Sequence, residues 1–297
     1  MVIVRVTRIA FIGFGEAAKS FISAWSNKAP EIMNAFDIKT NRSISRETKL
    51  LEYIDYGVQG TFRAQEAIHG AQVVFSLVTA DQAETAIKDI IPSLGHKQLV
   101  LDCNSCSPQT KKELARLTEQ QGSNYVDVAI MAPVLHSAPA IPVNLSGPKA
   151  KQAASYLTSL GFKTQVISER VGDASSIKIL RSILVKGFEA LTTECLVAAR
   201  KSGVEKQVLK SLSDTYPELA LAKLSRYHME RMLNHGERRH SELKEVEALL
   251  KDLKINHSMV TGAMNWHQML GAMPIEEQQL PLEELSDEII KHLHAPN

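Results

Sequence analysis

The chain has 297 residues, with 34 lysines and arginines against 33 aspartates and glutamates. That length accommodates two domains with substantial cores, and the near-zero net charge excludes the generally basic surface of a protein that coats nucleic acid or an anionic membrane. The start, MVIVRVTRIAFIGFG, has arginines inside its apolar run and passes directly into a strand-like segment, which fits neither a signal peptide nor a spanning helix. A cytoplasmic protein with no membrane or nucleic-acid partner is expected.

In chain order, Arg8 to Ile12 is a short apolar run followed at once by Gly13-Phe14-Gly15-Glu16-Ala17-Ala18 and then by a helical pattern through Phe21, Ile22 and Trp25. This reads as strand, glycine turn and helix. Gly13 permits the tight turn, Gly15 lets the backbone approach a pyrophosphate, and the small Ala18 allows close packing of helix on strand. The helix N-terminus, from Glu16 and Ala17, offers N–H groups to the phosphates. The next run, Ile32 to Phe36, ends in Asp37, where a dinucleotide fold places the carboxylate that binds the adenosine ribose. A carboxylate there repels a 2′-phosphate, so NAD is favoured as cofactor. Lys39 and Arg42 lie close enough in sequence to serve NADP instead, or to be ordinary loop charges.

Runs at Val58 to Phe62, Val73 to Val78, Leu99 to Asp102 and Tyr125 to Ile130 alternate with helical stretches, the pattern of a parallel sheet covered on both faces. Ligands to such a sheet sit beyond the carboxyl ends of the strands. Val78 at the end of one run with Thr79 after it, and Asn104 and Ser105 after the next, are therefore candidate cofactor and substrate contacts, with Ser107 and Pro108 opening the following helix. Met131, Pro133 and His136 follow the next run as further substrate candidates. Two more runs, Val143 to Ser146 and Thr164 to Ile167, close this domain near Ser168.

Cys103 and Cys106 form a C-x-x-C, but with Cys195 the only other cysteine there is neither a second ligand pair nor a thioredoxin-like context, so no metal is expected. From Gly172 onward the pattern is helical, with turns predicted at Gly203, Pro217, Gly236 and Asn256. In the first of these helices Ile177, Leu180, Leu184, Phe188 and Leu191 form an apolar stripe, and Lys178, Arg181, Ser182 and Glu189 share the neighbouring face. By itself such a face reads as solvated charge ahead of a catalytic lysine. Farther on, Arg231, His235, Arg238, Arg239 and His240 gather cationic and ionisable groups within three helical turns. Two readings stand for this cluster: a solvated basic face paired with Glu230, Glu237 and Glu242, or an anion site for a substrate carboxylate or phosphate.

Taken together, these segments resemble the β-hydroxyacid dehydrogenase superfamily, which includes 3-hydroxyisobutyrate dehydrogenase and 6-phosphogluconate dehydrogenase. Gly13, Gly15 and Ala18 match its G-x-G-x-x-G/A turn. Asp102, Asn104, Ser105 and Pro108 loosely match D-x-S-T-x-x-P, Asp127 and the apolar frame through Pro133 match a substrate-binding motif, and Lys178 matches the lysine of G-x-x-G-x-x-x-K-x-x-x-N. The chain departs from the family where Met131, Ala132 and Pro133 replace a serine and glycines that hold the substrate carboxylate, and where Ser182 stands for asparagine. GDASSIKILRS, KGFEAL and HGERRHSE resemble the bacterial 6-phosphogluconate-dehydrogenase-like branch whose C-terminal domain has no assigned function.

The resemblance implies an NAD(P)-binding Rossmann domain over residues 1–170 with a mostly parallel, doubly wound sheet, then an all-helical domain over 171–297 that begins with a long interdomain helix and dimerises. It further implies an oxidoreductase interconverting a hydroxy acid and its keto or semialdehyde form, with Lys178 as general acid/base and Ser182 beside it. A desolvated lysine suits that task because burial disfavours its charged form. Arg181, His235, Arg238 and Arg239 are candidate substrate contacts. Two alternatives remain on the same scaffold: an imine or ketimine reductase, and a dinucleotide-binding protein without catalysis.

Overall fold

The computed structural model describes residues 6–131, 141–276 and 280–293. The chain divides into two compact units, Met1–Ile179 and Leu180–Asn297.

The first unit is the α/β body that the sequence predicts. Its strands are β1 (Arg8–Ile12), β2 (Ile32–Phe36), β3 (Gln59–Gly60), β4 (Val73–Ser76), β5 (Leu99–Asp102), β6 (Asn124–Ile130), β7 (Pro142–Ser146) and β8 (Lys163–Ser168). They form one sheet in the order β3-β2-β1-β4-β5-β6-β7-β8. Every pairing is parallel except β6 with β7, which is antiparallel. Helices α1 (Glu16–Trp25), α2 (Ser43–Asp55), α3 (Ala64–Ile68), α4 (Ala83–Ile90), α5 (Pro108–Gln120) and α6 (Ala150–Ser159) connect the strands. Two predicted strands shorten: Val58 to Phe62 keeps only Gln59 and Gly60, and Val73 to Val78 ends at Ser76. In the second case the backbone N–H of Val78 leaves the ladder to bond the Asn104 side chain.

Strand periodicity explains why both faces are apolar. Ile9, Phe11, Val73, Phe75, Leu99 and Leu101 point to one side, against Phe21 and Trp25 of α1 and Leu157 of α6. Ala10, Ile12, Val74 and Val100 point to the other, against Ile68 of α3, Ile87 of α4 and Leu114 of α5. Alternation with a period of two thus feeds two separate cores. Each fully buried Ile or Phe stabilises the sheet by roughly 1.5–3 kcal/mol relative to exposure. The strand order reverses between β1 and β4, and the crevice at that switch point is where such sheets receive ligands.

Helix α7 (Asp173–Lys201) starts in the first unit and continues into the second, followed by α8 (Glu205–Thr215), α9 (Leu221–Asp252), α10 (Ser258–Gly271) and α11 (Leu282–Leu293). No strand follows β8 among the described residues, and no helix among them is long and apolar enough to cross a membrane.

One expectation is corrected. Gly236 is not a turn but lies inside the unbroken α9. A Cβ on Gly236 would lie 2.2 Å from the carbonyl oxygen of His267 and 2.7 Å from the Cα of Gly271, so the glycine is there to let α9 and α10 touch backbone to backbone. The apolar stripe of α7 is largely exposed: Ile177, Leu180, Leu184 and Leu191 are 39%, 42%, 77% and 56% exposed.

Candidate active site

The glycine turn after β1 is shaped by backbone sterics. Gly13 has φ +88°, a region that favours glycine, and a Cβ there would fall 2.4 Å from the Leu77 carbonyl oxygen just past β4. Its N–H donates to the Phe36 carbonyl at 2.8 Å. Phe14 turns its ring into the core against Tyr53, so this residue faces any cofactor only through its backbone, and both of its backbone groups are already engaged. Its N–H donates to Asp37 Oδ2 at 2.9 Å, and its carbonyl accepts from the buried Lys49 Nζ at 2.8 Å. Gly15 is different, because a Cβ there would meet no atom within 4 Å. Open space at Gly15, ahead of the first N–H groups of α1 at Glu16 and Ala17, is the cradle a pyrophosphate requires. The residues present therefore fit a dinucleotide.

Asp37 ends β2 as the sequence predicts. Beyond its bond from Phe14, its Oδ1 accepts from the Lys39 N–H at 2.9 Å, and Lys49 Nζ lies 4.0 Å from Oδ2. Lys39 and Arg42 are exposed.

Beyond β4 and β5 the chain is cross-tied by Asn104, which is buried. Its Oδ1 accepts from the Val78 N–H at 2.7 Å and its Nδ2 donates to Ser76 Oγ at 2.8 Å. Thr79 is exposed at the start of the next helical turn. Ser107 caps α5, accepting from the Thr110 N–H at 3.1 Å, with Pro108 in the first turn. Cys103 and Cys106 are buried free thiols, and burial pushes Cys103 up to about 12, too high for a reactive thiolate.

Lys178 joins this strand-end cluster, its Nζ donating to Ser105 Oγ at 2.8 Å. The two residues are 73 positions apart in the chain, and both are half-buried. What brings them together is the anchoring of the first turn of α7: the Ala174 N–H donates to Ser146 Oγ at 3.0 Å and the Ser175 N–H to Asp127 Oδ2 at 2.9 Å. Ser182 follows Lys178 by four residues on the same helix and is half-buried, while Arg181 is exposed. Met131 is half-buried at the end of β6, its N–H donating to the Pro142 carbonyl at 2.9 Å. Pro133 and His136 lie outside the described residues.

The basic cluster of α9 belongs to the second unit and resolves into unlike parts. Arg239 is buried and ion-paired with Glu189 of α7. Arg238 is exposed and pairs with Glu242 at 2.6 Å, His235 is half-buried, and His240 Nδ1 lies 3.2 Å from the Met264 carbonyl oxygen. Lys186 of α7 also reaches Glu242, at 2.7 Å. Burial lowers the pKa of Lys186 and raises that of Glu189, with Glu242 and Arg239 opposing the two shifts. His267, fully buried on α10, is pushed down to about 4 by burial.

Sequence reading missed Lys111. It is 0% exposed and lies 2.9 Å from Asp102 and 3.4 Å from Asp127, both also fully buried. A signal was present: Lys111 shares the buried face of α5 with Leu114, Ala115 and Thr118, three, four and seven residues on, the spacing of a helix face turned inward. A lone charge on such a face requires a buried counterion.

Residues 8–134 match the NAD binding domain of 6-phosphogluconate dehydrogenase, and residues 199–270 match a domain of unknown function, DUF1932. Together with the fold they define the class. The chain thus carries an NAD-binding domain like that of 6-phosphogluconate dehydrogenase ahead of a helical DUF1932 region, with structural similarity to the 3-hydroxyacid dehydrogenases. More particularly, it is similar to a conserved hypothetical protein from Sinorhizobium meliloti 1021, with 29% identity, 97% of each chain covered and a TM-score of 0.76. The 3-hydroxyisobutyrate dehydrogenase of Mycobacterium tuberculosis shares the fold at 16% identity, covering 98% of this chain and 100% of that one with a TM-score of 0.74. The 3-hydroxyisobutyrate dehydrogenase of Pseudomonas aeruginosa is 24% identical over 214 residues, 70% of this chain and 69% of that protein.

Proposed function

We propose that this protein is an NAD(P)-dependent oxidoreductase that interconverts a hydroxy acid and its keto or semialdehyde form, with Lys178 as general acid/base. The observation that carries the reading is the 2.8 Å contact of Lys178 Nζ with Ser105 Oγ beyond the carboxyl end of β5, in a sheet whose β1 turn fits a dinucleotide. When bound, the nicotinamide supplies or takes the hydride. Lys178 takes the hydroxyl proton in oxidation and returns it in reduction, and Ser105 fixes the direction in which the amine points. Ser182, one turn along α7, orients the substrate hydroxyl.

For the cofactor, Asp37 places a carboxylate just after β2, and NAD(H) is the expected form. Tighter binding of NADPH than NADH would transfer the selection to Lys39 and Arg42. Within the α9 cluster, Arg238 is the candidate contact for an anion, because its pair with Glu242 is exposed whereas Arg239 is buried against Glu189. The exposed apolar stripe of α7 supports a homodimer, to be checked by light scattering on the purified protein.

The decisive experiment screens hydroxy acids and cyclic imines with NAD(P)(H) and then substitutes Lys178→Ala. The variant is expected to bind cofactor as wild type and to lose turnover by about 10²–10⁴-fold. Activity within threefold of wild type would remove Lys178 from the chemistry. Turnover of imines alone would move the protein to imine reduction, and cofactor binding without turnover on the whole panel would mark a non-catalytic dinucleotide-binding protein.

A further inference from the structure

We propose that Lys111 is a positioning residue for the Lys178–Ser105 pair, the buried cation that ties together the two carboxylates from which the end of β5 and the start of α7 are hung. The inference rests on the reading of Lys178 as acid/base and adds a residue that acts on the pair through Asp102 and Asp127.

An ammonium carries three donors, and Lys111 has three oxygen acceptors around it. These are Asp102 Oδ1 at 2.9 Å, the Asp102 carbonyl at 2.7 Å and Asp127 Oδ1 at 3.4 Å. Each carboxylate then holds a different part of the site. Asp102 Oδ1 accepts from the N–H of Asn104 at 3.0 Å, the residue before Ser105, and its Oδ2 accepts from the Tyr125 hydroxyl. Asp127 Oδ2 accepts from Ser146 Oγ at 3.0 Å and from the Ser175 N–H at 2.9 Å. Ser175 is three residues before Lys178, and Ser146 in turn holds the Ala174 N–H. Both ends of the Lys178–Ser105 contact are therefore within a turn of an anchor on one cluster, and Lys111 is the group common to both anchors.

The charges support this division of labour. One ammonium faces two carboxylates, and Asp127 also lies at the N-terminus of α7, where its Oδ2 accepts the Ser175 N–H and the helix dipole favours a carboxylate. Burial acts against the charged form of Lys111, but Asp102, Cys106 and Asp127 outweigh it and its pKa is raised, so the clamp stays charged across the working pH range. A buried ion pair is poor evidence of added stability, since an apolar replacement is often as stable. What an apolar residue cannot do is hold two carboxylates at fixed points, and a displacement of about 1 Å between reacting groups costs on the order of 10²-fold in rate.

The test uses the full-length protein with Lys111→Met and, in case that variant fails to fold, the double variant Lys111→Met/Asp127→Asn, which restores the wild-type net charge of the cluster. NADH affinity is read by fluorescence titration, kcat and KM are measured separately, and the pH profile of Lys178 acetylation by trace acetic anhydride is followed by mass spectrometry, which needs no substrate. We expect a folded variant with NADH affinity within about twofold, kcat lowered by about 10–100-fold with KM little changed, and a shifted Lys178 labelling profile. A folded variant with wild-type kcat and wild-type labelling would overturn the proposal and leave Lys111 a packing residue. If Lys178→Ala itself proves fully active, the acid/base reading falls, while the labelling profile still decides whether Lys111 positions Lys178.

Discussion

The two glycines of the β1 turn make the same substitution mean two different things. Alanine at Gly13 must adopt φ near +88° and place its Cβ 2.4 Å from the Leu77 carbonyl oxygen. The backbone term costs roughly 1–2 kcal/mol and the overlap with a backbone atom a further 1–3 kcal/mol or so. The sum, about 2–5 kcal/mol, lowers the melting temperature by roughly 4–20 °C at about 2–4 °C per kcal/mol for a unit of this size. Alanine at Gly15 meets no protein atom within 4 Å and costs under about 1 kcal/mol as a poorer residue ahead of α1. Its methyl group occupies the space where a pyrophosphate approaches the backbone, so its effect appears only in binding, as a loss of NADH affinity of at least about tenfold. Thermal melts of the two apo variants, paired with NADH fluorescence titrations, separate the outcomes. A Gly15→Ala protein that binds NADH within twofold of wild type, or a Gly13→Ala protein that melts with wild type, would refute the assignment of one glycine to the fold and the other to the ligand.

Three further outcomes follow from the helical unit. Gly236→Ala puts a methyl group 2.2 Å from the His267 carbonyl oxygen, forces α9 and α10 apart, and is expected to cost about 1–3 kcal/mol or more by denaturant titration; a neutral result would mean the crossing is looser than described. Arg239→Met leaves Glu189 buried without its partner and should cost about 3–5 kcal/mol. Arg238→Met, at an exposed pair on the same helix, should stay within about 0.5 kcal/mol, so equal losses in the two variants would contradict the burial difference. The third outcome concerns pH. Burial holds His228 and His267 down to about 4, so between pH ~6.5 and ~4 the unfolded chain binds protons that the folded one refuses. Stability from these histidines is present above pH ~6.5 and is lost as the pH falls toward 4, by at most about 3 kcal/mol for each. His267→Gln should flatten that slope in melts recorded from pH 7 to 4.5, and an unchanged slope would show that His267 is not the titrating group.

Much of the α/β body was legible because its information is local. A strand buried on both faces is a short apolar run, a strand-to-helix turn against a neighbouring strand needs glycine, and a carboxylate about twenty residues on ends β2. Those features involve residues within one or two elements of each other, and G-x-G-x-x-A with Asp37 could be read directly. Lys178 was legible as a candidate only through its motif, since on a helix face alone it has the pattern of any surface charge.

What the tertiary structure decided depends on meetings that chain spacing does not encode. Asp37 reads as a ribose carboxylate, yet its oxygens also close the Phe14 turn, with Lys49 behind them. The apolar stripe of α7 has core periodicity, but most of it is exposed among the described residues. Gly236 looks like a helix stop and is instead the point where two backbones cross, because a glycine in sequence does not say whether its missing side chain serves a turn or a neighbour. Lys111, Asp102 and Asp127 come from a helix and two strands, and only the folding of β5 beside β6, with α5 packed on them, puts one ammonium between two carboxylates. Local pattern determined the buried strands of the sheet and, through G-x-G-x-x-A, what class of ligand the first turn admits. Which charges share an interior, and which side chains hold Lys178 against Ser105, was decided by long-range packing, since a buried charge is stable only where the fold supplies its partner.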